Sequence, residues 1–388
     1  MNSPIPPNTQ NLACGPQMAC SRQMACSPPV APRRAIGASW DSLRFASVAR
    51  SRQVAQWSLA VLATGASLLA AAAPATTTPA APAATVTPQQ MIGSMESTFG
   101  LHPGQRRNHI KGTCAAGEFV GTAEAATLSR SPVFSGKPIP VVARFSLGGG
   151  DAPDAAPAPR GMALELSLPG GSLQHFTMIN VPIFAASSPA SFRAFIDAAK
   201  PDPKTGAPDP EKLKAYFASH PDAKPLADLA AQHTPTANYY QTPYFGIHTF
   251  KFIDAKGVEH LVKWSFVPRD GVKEMTPAEM KAAPHDFLEK NLIDRTKKGP
   301  AVWDMIVYVG EPGDSQDNPT LAWPETRKHF KAGTLTISQA TPQKGAACEK
   351  INFDPLIMSD GIGPTNDPIL LFRSPAYAVS FAKRLTGQ

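Results

Sequence analysis

The chain has 388 residues, of which 43% are hydrophobic, enough for one large or two medium domains with a buried core. Its net charge of +7 is concentrated at the N-terminus. Residues 1–73 hold six arginines and one acidic residue, Asp41, and so account for five of the seven excess positive charges. The rest of the chain is nearly neutral, which excludes a nucleic-acid-binding surface built on general positive charge.

The N-terminal region has the pattern of an export signal. Arg50 and Arg52 precede Val54–Ala73, a run rich in Ala, Leu and Val that ends in small residues before a Thr/Ala/Pro-rich stretch. This order is typical of a secretory signal peptide. The run also has about the 20 residues that span a bilayer, so an uncleaved anchor stays open, and we expect a periplasmic or membrane-anchored protein facing the periplasm. The predicted parts are a leader, a linker and a folded domain: 1–73, 74–90 and 91–388.

The five cysteines fall into two groups. Three recur at six-residue spacing near the N-terminus: Cys14, Cys20 and Cys26. This spacing matches no common zinc site, and we expect residues 1–45 either to lack stable structure or to precede the true start. Cys114 and Cys348 lie in the predicted folded domain. An oxidising compartment would permit a disulfide between them, and two separate buried thiols are the alternative.

Hydrophobic patterning predicts the elements in chain order, beginning with a short helix at 88–99. Segments with alternating polarity then indicate eight strands: 118–127, 140–147, 161–168, 174–181, 244–254, 259–268, 301–310 and 333–338. Helical patterns separate and follow the strand groups: 188–200, 210–219, 223–233, 276–292 and from 367 to the end. Together they predict an α+β fold, an eight-stranded antiparallel β-barrel with inserted and C-terminal helices.

The last predicted helix carries an unusual set of side chains. Arg373, Tyr377 and Arg384 follow one another at four and seven residues, spacings that share one helix face, although Pro375 is expected to kink or restart the helix. A cation beside a phenol favours the phenolate, an anionic ligand suited to iron. The simpler interpretation of this segment alone is an amphipathic helix with a packed tyrosine and solvated arginines.

Six short motifs decide between these interpretations. In chain order they are RRNHIKG at 106–112, ARFS at 143–146, PRGMA at 159–163, INVPIF at 179–184, GIHTFK at 246–251 and RSPAY at 373–377. The series resembles the haem-dependent catalase family, whose patterns are R-x-x-H-x-K-G, R-F-S, R-G-x-A, N-x-P-x-F, H-T-F-K and R-x-x-x-Y. One such motif is weak, but six in the family's order, from about residue 91 to the C-terminus, argue against chance.

The resemblance implies a distal side for peroxide chemistry. His109 matches the acid–base histidine that accepts and returns a proton. Asn180 matches the asparagine that donates a hydrogen bond to bound peroxide, and Ser146 matches the serine that orients the histidine ring. Without the motifs, these residues would be read as a structural histidine, a turn asparagine and a strand hydroxyl.

The resemblance also implies haem b beside the barrel, with Tyr377 as the iron ligand. Arg373 would hold the phenolate, and His248 and Asp367 match positions hydrogen-bonded behind that arginine. For His248 the alternative is an ordinary core histidine. Three arginines match residues that pair with haem propionates or flank the ligand, a role suited to bidentate donors: Arg106, Arg144 and Arg384.

Three departures from the larger catalases suggest a subgroup. Ala185 stands where they usually have a second phenylalanine, Ala158 replaces an access-channel aspartate, and the chain stops at Gln388 without room for their extra C-terminal parts. The closest resemblance is to small catalase-related peroxidases. We therefore expect a haem peroxidase that reduces hydrogen peroxide or organic peroxides with an organic electron donor, has weak catalase activity at most, and forms a monomer or small oligomer.

Two other functions stay open at this point. A catalase-fold haem isomerase of lipid hydroperoxides would share the tyrosine, histidine and asparagine. An exported eight-stranded barrel that carries an apolar ligand would fit the fold prediction, but it would leave Tyr377 and His109 without a role.

Overall fold

The computed structural model describes residues 85–388, so the predicted leader and the cysteine repeat lie outside the described residues. The helices in this range are α1 (Pro88–Phe99), α2 (Ala123–Leu128), α3 (Pro189–Ala198), α4 (Pro210–Ser219), α5 (Lys224–Gln232), α6 (Pro277–Ala282), α7 (Leu288–Lys297), α8 (Ala347–Lys350) and α9 (Pro368–Leu385). The strands are β1 (Gly112–Gly121), β2 (Ile139–Leu147), β3 (Arg160–Ser167), β4 (Leu173–Ile179), β5 (Tyr244–Phe245), β6 (Phe250–Ile253), β7 (Glu259–Pro268), β8 (Ala301–Val309), β9 (His329–Pro342) and β10 (Ile362–Pro364). Within 85–388, no helix is both long and apolar enough for a membrane crossing.

The strands form one antiparallel sheet that closes on itself. Around the ring the order is β1, β2, β3, β4, β5, β7, β8 and β9, and β9 pairs back with β1. β6 pairs with the other half of β7, and β10 adds to the edge of β6. The predicted eight-stranded antiparallel barrel with helices is confirmed.

The barrel interior is a packed hydrophobic core, which places the chemistry elsewhere. Along β8, the alternate residues Ala301, Trp303, Met305 and Val307 are fully buried. Phe145 of β2 stacks on Trp303, with ring centroids 5.6 Å apart. Each large apolar side chain buried here contributes about 1.5–3 kcal/mol. Since neighbouring residues of a strand point to opposite faces, the polar residues beside Phe145 face the outside of the barrel.

Helices α1, α3 and α9 pack on one another. Local signals define the first turns of α1 and α9. Thr87 and Gln90 form a capping box ahead of α1, with Pro88 at its first position. Asp367 caps α9, whose 18 residues continue through Pro375.

Two predicted boundaries were wrong at β1. The predicted strand 118–127 begins six residues earlier, at Gly112, and ends at Gly121. The remainder is the short helix α2, because the Thr122 side chain accepts a hydrogen bond from the backbone nitrogen of Ala125 and starts a helical turn.

Two other predicted elements are each divided in two. The predicted strand 244–254 is interrupted between β5 and β6, where Ile247 adopts a left-handed backbone with φ of +50°. The predicted helix 276–292 is split into α6 and α7, with Pro284 in the gap, since proline disfavours the helical conformation of the residue before it. His248 lies in the first of these gaps, between β5 and β6.

The two cysteines of the described region are joined. Cys114 of β1 and Cys348 of α8 form a disulfide, with Cα atoms 5.5 Å apart. Phe353 packs against the pair and completes a small apolar cluster on the outer face of the sheet. Of the two alternatives that the sequence left open, the structure therefore has the disulfide.

Candidate active site

A cavity lies outside the barrel, bounded by strands β2, β3 and β4 and by helices α1, α3 and α9. Seven of the residues selected from the sequence line it: Arg106, His109, Arg144, Ser146, His248, Arg373 and Tyr377. The other three lie next to lining residues and contact them or their neighbours: Asn180, Asp367 and Arg384. The structure therefore brings together residues that are up to 278 positions apart in the sequence, as from Arg106 to Arg384.

A continuous series of hydrogen bonds leads to the phenol of Tyr377. One carboxylate oxygen of Asp367 caps α9 by accepting from the backbone nitrogen of Ile369, at 2.8 Å. The other accepts from Nδ1 of His248, at 2.7 Å. Arg373 donates from Nη1 to Nε2 of His248 at 3.1 Å and from Nη2 to the Tyr377 oxygen at 2.9 Å. The Asp367 carboxylate thus both caps α9 and, through His248 and Arg373, orients the tyrosine of that helix.

The tautomer of His248 follows from its two neighbours. A guanidinium only donates, so Nε2 must accept from Arg373, and the ring proton lies on Nδ1 and points to Asp367. Burial, with a smaller contribution from the nearby Arg373, lowers the pKa of His248 to about 4 against the opposing effect of Asp367. The imidazole is therefore neutral near pH 7 and relays the orientation of the carboxylate to the guanidinium.

The backbone around His248 is strained and held in place. Ile247, the residue before it, has the left-handed φ of +50°, a conformation that costs about 1–3 kcal/mol for a non-glycine residue. The Lys263 ammonium donates to the Ile247 carbonyl oxygen at 3.3 Å. This break in the strand is what directs the His248 ring toward α9 instead of along the barrel.

His109 also occupies a left-handed backbone conformation, with φ of +55°. The Asn108 side chain accepts from the backbone nitrogens of His109 and Gly149, at 2.8 and 2.7 Å. Arg144 donates to the carbonyl oxygen of His109 at 2.8 Å. The loop is thus fixed from both sides, as expected where strain is stored at a functional site.

The His109 ring is oriented by its neighbours on β2 and β3. Its Nδ1 lies 3.0 Å from the hydroxyl oxygen of Ser146. Gly161 leaves the space that this pair needs, because a Cβ there would lie 2.6 Å from the Ser146 hydroxyl and 3.2 Å from the ring. Burial lowers the pKa of His109 to about 3, and the positive charges of Arg144 and Arg373 add to the shift. The imidazole is neutral at physiological pH and able to accept a proton.

Asn180 stands directly after β4 at the edge of the site. Its Oδ1 accepts from the backbone nitrogen of Arg160 at 2.8 Å, and its own backbone nitrogen donates to the Arg160 carbonyl oxygen at 3.0 Å. Among residues 85–388, no acceptor contacts its Nδ2. The side chain is therefore anchored by its oxygen, which leaves the amide hydrogens as the groups able to serve a ligand.

Three guanidiniums gather at one end of the cavity and are called the arginine group: Arg106, Arg144 and Arg384. They donate to uncharged acceptors: the side-chain oxygen of Gln343 and the carbonyl oxygens of His109, Ile110, Cys348 and Ile351. In the described part of the chain, none of the three forms an ion pair with a carboxylate. Burial and mutual repulsion lower the pKa of Arg106 to about 8.

Arg144 is buried and Arg106 and Arg384 are partly buried; cations in such places without an ion pair are costly, so this arrangement favours an anionic ligand. Burial likewise lowers the pKa of Arg144 to about 10, so the protein alone does not compensate these charges. A haem carries two carboxylates and an iron that accepts a phenolate ligand. The arginine group and the phenol oxygen of Tyr377 thus supply both kinds of contact, and the residues fit this cofactor.

Several lining residues were not selected from the sequence. They are apolar residues of α1 and α3, one phenylalanine from the INVPIF motif, and an asparagine after α8: Met91, Ile92, Met95, Phe192, Phe184 and Asn352. The spacing of Met91 and Met95 on one face of α1 was a usable signal for a buried face, but not for what it covers. Gln343 and Asn352 carried no signal at all, because they reach the site from a stretch without regular pattern.

Comparisons with known proteins identify the family. The sequence profile of the catalase family matches residues 101–388. The catalase-related peroxidase of Synechococcus elongatus is 54% identical over 304 residues, covering 78% of this chain and 90% of that protein. The catalase-related peroxidase of Mycolicibacterium paratuberculosis is 33% identical over 304 residues, covering 77% and 95%. The solved structure of catalase A from Saccharomyces cerevisiae superposes with a TM-score of 0.68 at 22% identity, covering 73% of this chain and 62% of that one. The chain belongs to the catalase family.

Proposed function

We propose that the protein is a haem-dependent peroxidase that reduces hydrogen peroxide or an organic peroxide with an organic electron donor. The observation that carries this proposal is that one cavity holds both a phenol suited to bind iron and a neutral imidazole suited to act as a base. The Asp367–His248–Arg373–Tyr377 series presents an oriented phenol, and the neutral imidazole of His109 presents a base. The similarity to catalase-related peroxidases favours this function over the lipid-hydroperoxide isomerase and the ligand-binding barrel.

His109 performs the proton transfer in this mechanism. Breaking the peroxide bond requires a proton to leave the near oxygen and reach the departing one. The neutral ring accepts that proton at Nε2, because Nδ1 is engaged with Ser146 at 3.0 Å. Burial and the charges of Arg144 and Arg373 disfavour the protonated ring, which favours return of the proton to the leaving oxygen. The Nδ2 group of Asn180 is the donor that orients the peroxide.

The cofactor site assigns a task to each remaining residue. Bound haem supplies redox-active iron to the cavity. Tyr377 provides the ligand oxygen, and the hydrogen bond from Arg373 keeps that oxygen in place. The arginine group pairs with the carboxylates. We propose haem b in particular, because both cysteines of residues 85–388 are joined to each other and leave no thiol for covalent attachment.

We also propose that dismutation of peroxide is weak relative to peroxidase activity, although Ala185 supports this less than the sequence alone indicated. Phe192 of α3 packs on Phe184, with ring centroids 4.8 Å apart, and also lines the cavity. It supplies a second aromatic ring although position 185 is alanine. The remaining support is Ala158, which by the resemblance stands where the larger catalases usually have an access-channel aspartate.

Replacing Tyr377 by Phe tests the proposal, because it removes the ligand oxygen and changes little else. We expect purified wild-type protein to contain haem and to oxidise an aromatic donor with peroxide, and the variant to lose most haem while its far-ultraviolet circular dichroism is unchanged. Tyr308→Phe, at a half-exposed tyrosine on β8, serves as the matched control. Wild-type haem content in the Tyr377 variant would refute the assignment of the ligand.

We further propose that the protein is exported, with Val54–Ala73 as the signal or anchor. The disulfide supports this proposal, since such bonds persist in oxidising compartments. Cell fractionation and N-terminal sequencing of the native protein test it. A cytosolic protein with an intact N-terminus would contradict it.

A further inference from the structure

One stretch of chain provides the acceptors for all three members of the arginine group. This stretch, called the 343–354 segment, follows β9 and contains α8. The Gln343 side-chain oxygen accepts from Nε of Arg144 at 2.5 Å. Arg106 donates to the carbonyl oxygens of Cys348 and Ile351 at 3.1 and 2.8 Å, and Arg384 donates to that of Ile351 at 3.2 Å. The segment therefore helps to place all three cations, although Nη2 of Arg144 also donates to the carbonyl oxygens of His109 and Ile110.

The segment also carries a carboxylate that acts on two members of the arginine group. The carboxylate of Glu349 raises the pKa of Arg106 and of Arg384, opposing the effect of burial on both. Glu349 is held by the backbone nitrogen of Gly345 at 2.7 Å, within the same segment. Displacing the segment would thus remove both hydrogen-bond acceptors and partial charge compensation from the arginine group.

The two halves of the segment are held in different ways. The second half is anchored by side chains: Thr177 donates to the Phe353 carbonyl oxygen at 3.0 Å, and Ser374 donates to Asp354 at 2.5 Å. In the first half, α8 has only four residues and no side-chain cap. It is attached to the sheet by the disulfide from Cys348 to Cys114 and by the apolar contacts of the same small cluster.

The other cysteine of the disulfide, Cys114, lies beside a member of the arginine group. Cys114 of β1 is directly paired with Arg144 of β2 in the sheet register. The bond therefore joins the residue whose carbonyl accepts from Arg106 to the strand partner of Arg144. A single covalent link sets the distance between the backbones that carry and position the arginine group.

We propose that the Cys114–Cys348 disulfide positions the arginine group for the carboxylates of the cofactor, so that reducing it weakens cofactor retention. The proposal rests on the proposed function, because it takes haem as the anionic ligand. Neither Cys114 nor Cys348 is among the residues that line the cavity, and the disulfide acts through Arg106 and Arg144.

The redox step is a thiol–disulfide exchange. A dithiol reductant donates two electrons and two protons: the Sγ–Sγ bond breaks, each cysteine becomes a thiol, and the reductant closes to its own disulfide. The two cysteines are almost fully buried, with 3% and 0% of their surfaces exposed. A small pocket lined by both of them opens next to Val142 and gives a route for attack.

The central experiment measures the rate of haem loss to excess apomyoglobin. The variant Cys114→Ala/Cys348→Ala is compared with wild type and with Val262→Ala, which truncates a buried residue of β7 away from the segment. We expect loss from the double variant to be at least about tenfold faster, the effect of weakening one charge-assisted hydrogen bond, and loss from Val262→Ala to change little. Equal rates in the double variant and wild type, or equal acceleration in both variants, would overturn the proposal.

A second measurement needs no cofactor. In the haem-free protein, hydrogen exchange of the 343–354 segment should become faster after treatment with dithiothreitol, while exchange in β7 and β8 stays unchanged. Alkylation and mass spectrometry establish that the bond was reduced. Unchanged exchange in a protein with both thiols alkylated would overturn the proposal, and this readout also serves if the double variant does not fold.

A double-mutant comparison separates positioning from general stability. If the disulfide acts through Arg106, removing the bond in an Arg106→Gln background should accelerate haem loss much less than it does in wild type. A full tenfold effect in that background would contradict the route. A wild-type protein that binds no haem would instead refute the proposed function, so the two failures are distinguishable.

Discussion

Replacing Asp367 by Asn is the sharpest test of how the site is oriented. An asparagine keeps the oxygen that caps α9, because Asn and Asp are equally good at that position. It presents an amide group instead of an oxygen to Nδ1 of His248. Since both would then be donors, the ring proton must move to Nε2, where it faces the guanidinium of Arg373. We expect Arg373 to turn away from Tyr377.

The cost can be worked out from the contacts. The buried carboxylate loses one charge-assisted hydrogen bond, about 1.5–3 kcal/mol, and the facing donors leave a buried polar group unsatisfied, about 1–3 kcal/mol. Asp367 is 1% exposed and His248 is fully buried, so water offers little compensation. The retained cap and local relaxation offset part of this. We expect the free energy of unfolding to fall by about 3 kcal/mol.

The assay is urea unfolding of the haem-free protein, together with haem content and the visible spectrum of the loaded protein. Asp209→Asn is the matched control, because Asp209 caps α4 by accepting from the backbone nitrogen of Glu211 at 2.9 Å and belongs to no buried series. That change should cost less than about 0.5 kcal/mol. If the two variants were equally stable and Asp367→Asn kept the wild-type spectrum, the argument from the His248 tautomer would be refuted.

Three further outcomes are expected. His109→Ala should keep its haem yet react with peroxide about 10²–10⁴-fold more slowly in stopped flow, and an unchanged rate would point to another base. Gly161→Ala should slow the same reaction, because its Cβ would displace the Ser146 hydroxyl, whereas Gly363→Ala meets neighbours only at 3.8–3.9 Å and should be neutral; equal effects would contradict the steric argument. Burial lowers the pKa of His109 to about 3 and of His248 to about 4. Below about pH 6.5 these histidines therefore bind protons in the unfolded chain but stay neutral in the folded protein. Stability of the haem-free protein is therefore present above that pH and falls as the pH drops toward 4, as urea titrations would show, and a flat profile would refute it.

Much of the fold was readable from local patterns. Helix α4 was predicted with its observed bounds, and the structure shows Asp209 capping it with Pro210 at its first position. The alternation along β2, β3, β4 and β7 predicted strands at nearly the observed positions. Such signals depend on residues a few positions apart, and single-sequence reasoning can detect them.

Part of the site could also be predicted from the sequence, and part could not. The order of six motifs singled out His109, Ser146 and Tyr377, and the structure places all three on one cavity. The sequence did not show that Gln343 and the carbonyl oxygens of Cys348 and Ile351 hold the arginines, since a backbone acceptor has no residue type to recognise.

The sequence alone determined the family resemblance, the strand alternation and the residue types that the chemistry needs. Tertiary structure decided the rest. The break at Ile247 turns His248 toward Asp367, a residue 119 positions away, and the disulfide joins residues 234 positions apart. Both contacts depend on how the closed barrel brings distant strands to its outer face. Local patterns specify where a strand begins and ends, but the pairing of distant segments is decided only when the whole core packs.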